Sequence, residues 1–596
     1  MAKAPARPRG QPNTPAGNVR APAGAQWGGA VDPRQKLIAS LDARVQSLYD
    51  IRYSWWMHWR DLANYILPRR MRWLYDTQST GQTWSRGMQV NQNILNNTAT
   101  IAARTLAAGM LAGTTSPSKP WFRLTPTDTG VAEIREVKIW LEEARTRMMR
   151  VMAASNYYTS KAVQLFDEVV FGTSPMIIYA HPEKLVHCYV PTPGEYALAA
   201  NGDFDVDSIY RRYPLTVSQI VSTFGLENVT RNVLTLYQTG GAALNQEIII
   251  AHACEPNPAF DPSAGSGLDE FGVPRTFRYR DVYWVWGDNA QRPLRMGGFH
   301  EKPFSALRWD VFGNDPYGRS PGMDALGDTK QLQFQEKRKA EAIDKQVRPP
   351  LLASADMKNE PASILPAAIT YAPNLSTSGF KPVYTVAPNL RDMKEDMAGV
   401  EARIKDTFFN PLFNMFSNLD TVRTATEIDA RQQEKLLLLG PVLQRNDNEG
   451  LGPDIRRIFQ ICSRAGVFPE PPDELAGAGL RIEYVSMLSD LQRGSSTAAI
   501  ERVLQVAGNL VGVRPDIMDN IDTDFSVREY GNALRVDPRV FTSPDEMMAV
   551  RQQRDEQQAA ATGLQTGAVA ADAAKTLSET QLGGGQNALA ALLGGI

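Results

Sequence analysis

Five histidines and three cysteines are the residues best able to do chemistry in this chain. His181, His187 and Cys188 fall close together, and His252 precedes Cys254 by two. Imidazoles and thiolates can hold zinc, but a structural zinc site needs ligands in paired, short spacings, and none occurs here. They read as strand and loop residues. Asp203, Asp205 and Asp207 stand two apart in "NGDFDVDS", a faint likeness to a calcium loop. Such a loop needs a glycine at its sixth position and a glutamate at its twelfth. Ser208 occupies the sixth, so a hairpin with solvated carboxylates is the expectation. No glycine-rich phosphate loop ending in Lys-Ser or Lys-Thr is present, nor a Ser elbow of the esterase kind, nor a zincin His-Glu pair. Nothing in the pattern demands catalysis, and no enzyme, metal or cofactor is expected.

The bulk numbers bound the rest. At 596 residues the chain exceeds one core, so several structural regions are expected. Formal net charge is −2, which excludes a polybasic nucleic-acid binder and leaves only local or weak DNA contact. The longest apolar run, in "EKLLLLGPVLQ", is far short of the roughly 20 residues that span a bilayer. The first thirty or so residues lack the apolar stretch of a secretory signal. Cys188, Cys254 and Cys462 are odd in number and far apart, which suits a reducing compartment. A soluble protein made inside a cell is the expectation.

Periodicity and punctuating residues mark the elements along the chain. Residues 1–33 are Ala, Pro, Gly and Arg without periodicity and predict a disordered arm. Leu37, Leu41, Val45, Leu48, Ile51, Trp55, Trp59, Leu62 and Ile66 recur every three or four residues, so one long helix is predicted with a stop at Pro68. At that spacing the tryptophans belong to a core. "NNTATIAARTLAAGML" predicts a helix of small residues able to pack its backbone close to a neighbour. Residues 131 to 154 predict another, with Val137, Leu141, Met148 and Met152 on one side. From Phe166 to Thr216 the sequence alternates, is β-branched and aromatic, and carries a turn at Asn201-Gly202. A second β-rich run begins at Arg278 and continues past Phe304. Helices and strands without regular alternation predict an α+β, helix-rich fold.

Two later helices are unusual. In "YGRSPGMDALGDTKQLQFQEKRKAEAIDKQVRPPLL", Ser320 is a candidate N-cap and Pro321 suits the first helical position. Gly327 is the weak point. Leu332, Ala340, Ile343 and Val347 make only a thin apolar stripe. About forty residues on, Asn389 is placed to cap a second helix striped by Met393, Met397, Val400, Ile404 and Phe408, with Pro411 ending or kinking it. Thr424 and Glu427 have the spacing of a capping box for a third. Residues 452–464 and 496–511 also predict helices, and the Ala- and Gln-rich C-terminus a loose or flexibly helical tail. A helix with a thin stripe is unstable alone, because helical stability comes mostly from packing an apolar face. The first two helices are therefore expected to stand antiparallel, with copies in neighbouring chains as further partners in a ring. An exposed hairpin on a monomer remains the other reading.

Six stretches in register, among them "WRDLANYILPR", "FDEVVFGTSPMIIY" and "RTATEIDARQQEKLLLLGPVLQRNDNEGL", give the chain a further character. It resembles the head-to-tail connecting, or portal, proteins of short-tailed bacteriophages, from about Arg34 to about Gly466 and more loosely to about residue 545. The resemblance implies a ring, usually of about twelve copies, at one capsid vertex, with DNA pumped through its channel by a separate terminase and released through it at infection. It implies a wing over 34–319, stem helices over 320–348 and 389–417, a clip over 349–388 and a tunnel loop over 418–424. A helix over 425–465 would lead to a crown over 466–550, with 551–596 a flexible tail. The loop residues Asn418, Asp420, Thr421 and Arg423 would face DNA, with Arg423 the foremost channel cation. Lys337, Arg338, Lys339 and Lys345 would face DNA or, in preference, pair with a neighbouring subunit. Lys358, Asn359 and Glu360 of the clip would meet the terminase large subunit and later the tail adaptor or nozzle proteins. Major capsid and scaffolding proteins are implied partners, double-stranded DNA a non-specific one, and membranes none. The implied place is the virion, after synthesis in the host cytoplasm. A terminase-like motor is set aside by the missing phosphate loop; a monomeric head-tail adaptor or scaffold without a channel is the alternative.

Overall fold

Asp32 caps the first helix: its carboxylate accepts from the Arg34 N–H at 2.9 Å, and Pro33 opens α1 (Pro33–Ile51). The computed structural model of this chain describes residues 32–71, 92–117, 120–132, 134–288, 292–348, 351–353, 380–382, 389–413, 439–475, 479–484, 501–509, 521–533, 538–542, 544–579, 581–582 and 586–587. The chain divides into two compact units, one of 1–124, 143–470 and 481–492, the other of 125–142, 471–480 and 493–596.

In the first unit, the α1 stripe of Leu37, Ile38, Leu41, Val45 and Tyr49 packs on Ala197, Tyr210, Ala253 and Trp284 of a β-sheet. The stripe does not continue into α2 (Tyr53–Tyr65) as one helix. Ile51 is 67% exposed, and the helix breaks at Arg52. The Arg52 guanidinium is buried, lies over the Tyr49 ring, and donates to the carbonyls of Gly194 and Tyr196. Satisfying that buried charge redirects the chain. Beyond the break Trp59 and Leu62 are core, as their spacing predicts, and the Trp59 indole donates to Phe171 O at 3.0 Å. The small-residue helix α3 (Thr98–Thr114) does come close to a neighbour: a Cβ on Gly109 would lie 2.2 Å from the Phe413 ring.

Val137, Leu141, Met148 and Met152 are all buried along α4 (Arg135–Ala154). The predicted β-rich run starts later than Phe166, because 166–171 complete α5 (Tyr157–Phe171). Gly172 closes that helix at φ +79°, the left-handed conformation open to glycine, and the strands begin at Thr173. One sheet places β1 (Thr173–His181) between β2 (Leu185–Tyr189) and β8 (Phe304–Arg308). The other runs β3 (Tyr196–Ala200), β4 (Val206–Thr216), β5 (Glu247–Pro256), β6 (Tyr279–Val285), β7 (Pro293–Phe299) in simple succession. All their pairings are antiparallel, for example Tyr210 with Ala253 and Ala253 with Val282. The β3–β4 turn falls at Asn201, whose side chain accepts from the N–H groups of Asp203 and Asp205, both at 2.9 Å. It is the expected hairpin. Between β4 and β5 stand α6 (Val217–Phe224) and α7 (Arg231–Thr239), the first opened by a Thr216–Gln219 capping box.

Ser320 caps as expected, its hydroxyl accepting from Met323 N–H at 3.1 Å. One turn (Pro321–Asp324) precedes α8 (Leu326–Val347), so the interruption falls at Ala325, just ahead of Gly327. The strand pair Leu351–Ala353 and Phe380–Pro382 is antiparallel. Asn389 caps α9 (Leu390–Thr407), and beyond Phe409 at φ +53° a short turn contains Pro411. Residues 439–446 are helical, then widen into a π-turn (Asp447–Leu451) before α10 (Gly452–Arg464). Pro453, second in α10, has no N–H to return to Glu449, and the wide turn accommodates that loss.

In the second unit, residues 501–509 are helical with Val503 and Val506 exposed. Asp524 on α11 (Thr523–Ala533) pairs with Arg551 at 2.7 Å on α12 (Pro544–Glu579). The stretch from 551, predicted as a loose or flexibly helical tail, is helical through Glu579. At 1.5 Å per residue α12 is about 54 Å long.

Candidate assembly and channel elements

Two ladder contacts set the direction of the predicted stem. Arg403 pairs with Asp328 at 2.9 Å, and Gln335 bonds Asp396 at 2.5 Å, so α8 and α9 run antiparallel. Met397, Val400, Ile404 and Phe408 are buried and Met393 is half-buried, so the whole predicted α9 stripe faces inward. The α8 stripe divides. Leu332 is fully buried, whereas Ala340, Ile343 and Val347 are exposed, Val347 by 71%. The reason is where neighbours stop. Gln333 accepts from the N–H groups of Leu95 and Asn96 (2.7 and 2.9 Å) and donates to Asn96 O (2.7 Å). The Asn96 amide in turn bridges Glu336 at 3.3 Å and Glu401 at 3.0 Å. Lys330 pairs with Asp61 at 2.8 Å. Past Glu336 the described chain covers the stripe only in part, Ile343 being 40% exposed and Val347 71%.

The predicted stem cations fall on that outer half. Arg338 pairs with Glu341 at 2.6 Å and Lys339 with Glu336 at 3.1 Å, both one turn away on the same helix. Lys337 and Lys345 are exposed and make no ion pair among the described residues. The loop residues Asn418, Asp420, Thr421 and Arg423, the clip residues Lys358, Asn359 and Glu360, and the Thr424–Glu427 box lie outside the described residues.

His252, His181 and the three cysteines are engaged in the packing of the fold. His252 Nδ1 accepts from Arg211 Nε at 3.0 Å, which leaves Nε2–H to donate to Asp281 at 2.6 Å. Burial holds this imidazole down at about 4 despite the carboxylate, so it stays neutral, stacked 4.1 Å from the Tyr283 ring. His181 Nδ1 accepts from the Glu183 and Lys184 N–H groups in the β1–β2 turn. Burial pushes the Cys188 and Cys254 thiols up, and Cys462 up to about 11, so all three are poor nucleophiles. Among the described residues no three His, Cys, Asp or Glu side chains are grouped to hold a metal.

The charges that matter most to this body were not foreseen. Lys161 of α5 and Asp454 of α10 form a fully buried pair at 3.0 Å, joined by Gln164 and the Tyr157 hydroxyl. Burial raises Glu168 to about 8 and Asp447 to about 7. Arg308 holds Glu449 with two bonds. Arg457 and Arg464 both hold Glu301. Periodicity offered one hint, since Lys161, Gln164 and Glu168 lie three and four apart on one face of α5.

The described residues thus form an α+β body bearing an antiparallel helical hairpin, with its inner charges engaged in packing. The chain belongs to the bacteriophage head to tail connecting protein family, whose model matches residues 39–541. It is 37% identical over 539 residues to the probable portal protein of Bordetella phage BPP-1, covering 89% of this chain and 93% of that one. It is 36% identical over 542 residues to the portal protein of Salmonella phage epsilon15, covering 90% and 95%. Among solved structures it is similar to a chain of the virion of a native gene transfer agent particle, at 11% identity over 73% of this chain and 94% of that one, with a TM-score of 0.29. The sequence relatives carry the identification. No described helix is long and apolar enough to cross a membrane.

Proposed function

We propose that this chain is a portal protein, the connector that joins phage head to tail at one capsid vertex. The observation that carries this is the match to two portal proteins over nine-tenths of their length and of its own. The chain would assemble as a ring of about twelve copies in the virion, with α8 and α9 as the stem. The exposed lower half of the α8 stripe supports that reading, since a neighbouring copy would give Ala340, Ile343 and Val347 the burial they lack. Lys337 and Lys345 would then find partners across subunits.

The segment 349–388 would be the clip, with Lys358, Asn359 and Glu360 meeting terminase and later the tail adaptor. The segment 418–424 would be the tunnel loop, with Asn418, Asp420, Thr421 and Arg423 toward DNA. A net charge of −2 suits a conduit: each added phosphate contact strengthens DNA binding through counterion release and would brake sliding. Work on DNA would come from the terminase, with this chain as the wall. Capsid and scaffolding proteins would surround the ring at the vertex.

The test is the mass of the purified protein together with negative-stain images. Rings of about twelve copies with a central hole are expected. A monodisperse monomer at every salt concentration, unchanged by adding scaffold protein, would replace the ring with a channel-free adaptor.

A further inference from the structure

A cavity of about 470 Å³ opens in the first unit where four separated segments meet: the β3–β4 hairpin tip, the start of β6, the β7–β8 turn, and the π-turn leading into α10. Its volume falls within the roughly 300–1,000 Å³ of small-molecule sites. Neither the stem nor any channel role uses it.

The charges around it do not balance. Glu449 is neutralised by Arg308, while Glu301 faces two guanidiniums, Arg457 and Arg464. Those three arginines stand behind the wall; the cations that line the cavity are Arg278, Lys302 and Arg456, beside Asp205 and Asp207. Setting aside Glu449 and Glu301, which arginines behind the wall engage, the lining places three cations against two carboxylates. Arg278 and Arg456 are exposed at the surface and make no ion pair among the described residues. Arg456 donates only to Gly452 O, at 3.3 Å. Lys302 is half-buried, donates to Val206 O, and likewise has no carboxylate paired to it. Burial pulls its ammonium down to about 8, although Asp205, Glu449 and Asp207 act to raise it. A cation in this condition is stabilised by whatever anion enters.

We propose that this cavity is a phosphate-binding site, in which Lys302, Arg278 and Arg456 together hold one phosphate group. Two guanidinium forks and an ammonium offer the donors that phosphate oxygens accept. The group is that of a free small anion or of a nucleic-acid backbone. The site lies within one chain, so it does not depend on ring assembly.

The experiment uses the full chain and inorganic phosphate at fixed ionic strength, read by titration calorimetry. Saturable binding is expected, weakened roughly tenfold or more by Lys302→Gln and by the double variant Arg278→Gln/Arg456→Gln, since a charged hydrogen bond contributes about 1.5–3 kcal/mol. Both arginines are exposed, so the double variant keeps its fold and decides the matter should Lys302→Gln fail to fold. A short DNA duplex is then added as competitor. Displacement of phosphate identifies the backbone as the source, and no displacement identifies a free anion. Absence of saturable phosphate binding, or binding equally strong in the folded variants, overturns the proposal.

Discussion

Arg308 at the end of β8 grips Glu449 in the π-turn with two parallel bonds, Nε to Oε2 at 3.0 Å and Nη2 to Oε1 at 2.6 Å. The same guanidinium reaches Phe204 O in the β3–β4 hairpin and Asp315 O in the loop before α8. One side chain thus ties four segments across up to 245 positions of sequence, counting from 204 to 449. Its own burial is nearly complete. Removing one member of such a pair strands the other, which costs about 3–5 kcal/mol. Arg308→Ala is expected to lower the urea midpoint accordingly. Replacing both partners, as Arg308→Met with Glu449→Leu, should cost much less, and equal losses in single and double variants would contradict the account.

Stability should fall with rising pH between about 5 and 8. Burial lifts Glu168 from 4.5 to about 8 and Asp447 from 3.8 to about 7. Over that span the folded chain keeps protons that the unfolded chain has released, so the folded state is favoured at the acid end. Each such proton contributes a slope of about 1.4 kcal/mol per pH unit. Glu168→Gln keeps an acceptor for the Asn446 amide and removes one titration. Its denaturation midpoint should exceed that of the wild type at pH 8 and match it at pH 5.

Two glycines share a left-handed backbone but differ in surroundings. A Cβ on Gly172 (φ +79°) would stand 2.1 Å from Gly318 O, whereas one on Gly240 (φ +67°) meets nothing within 4 Å. Gly240→Ala carries only the penalty of a backbone (φ +67°, ψ −165°) open almost only to glycine, about 1–3 kcal/mol. Gly172→Ala must also push two backbones apart and is expected to lose well over about 2 kcal/mol in thermal or urea unfolding.

The divided α8 stripe makes a prediction in two states of assembly. In the single chain, Leu332→Ala should cost about 2–5 kcal/mol and Val347→Ala less than about 0.5. In assembled rings Val347→Ala should lower the temperature at which the ring dissociates. A ring indifferent to Val347 and Ile343 would place the subunit contact elsewhere.

The legible parts of this chain were those governed by near neighbours. Ser320, Pro321 and Asn389 announced helix starts because capping is a local bond, and the α9 stripe announced its buried face because helical spacing is local too. The α5 boundary was misplaced because "VVF" is β-branched and aromatic; only the glycine after it marks a helix end. The break at Arg52 was illegible for a different reason. Its carbonyl partners lie more than 140 residues away, and an arginine in sequence reads as surface. The same holds for Lys161 with Asp454 and Arg308 with Glu449. α6 offered its capping box at Thr216–Gln219, a signal overshadowed by the strand pattern around it. Of the predicted site residues, the stem cations are placed, while those of the loop and the clip belong to the stretches outside the described residues.

Among the described residues, the hairpin of α8 and α9 is tied to the body at one end, through Gln333, Asn96 and the Lys330–Asp61 pair. It is therefore a lever whose pivot sits near Asn96. Amide protons near Leu332 should exchange with solvent only on global opening, while those of 340–347 exchange through local fraying, orders of magnitude faster. A pull at the Val347 end of α8 is transmitted through the pivot to the start of α3 and the middle of α2, which are the elements held there.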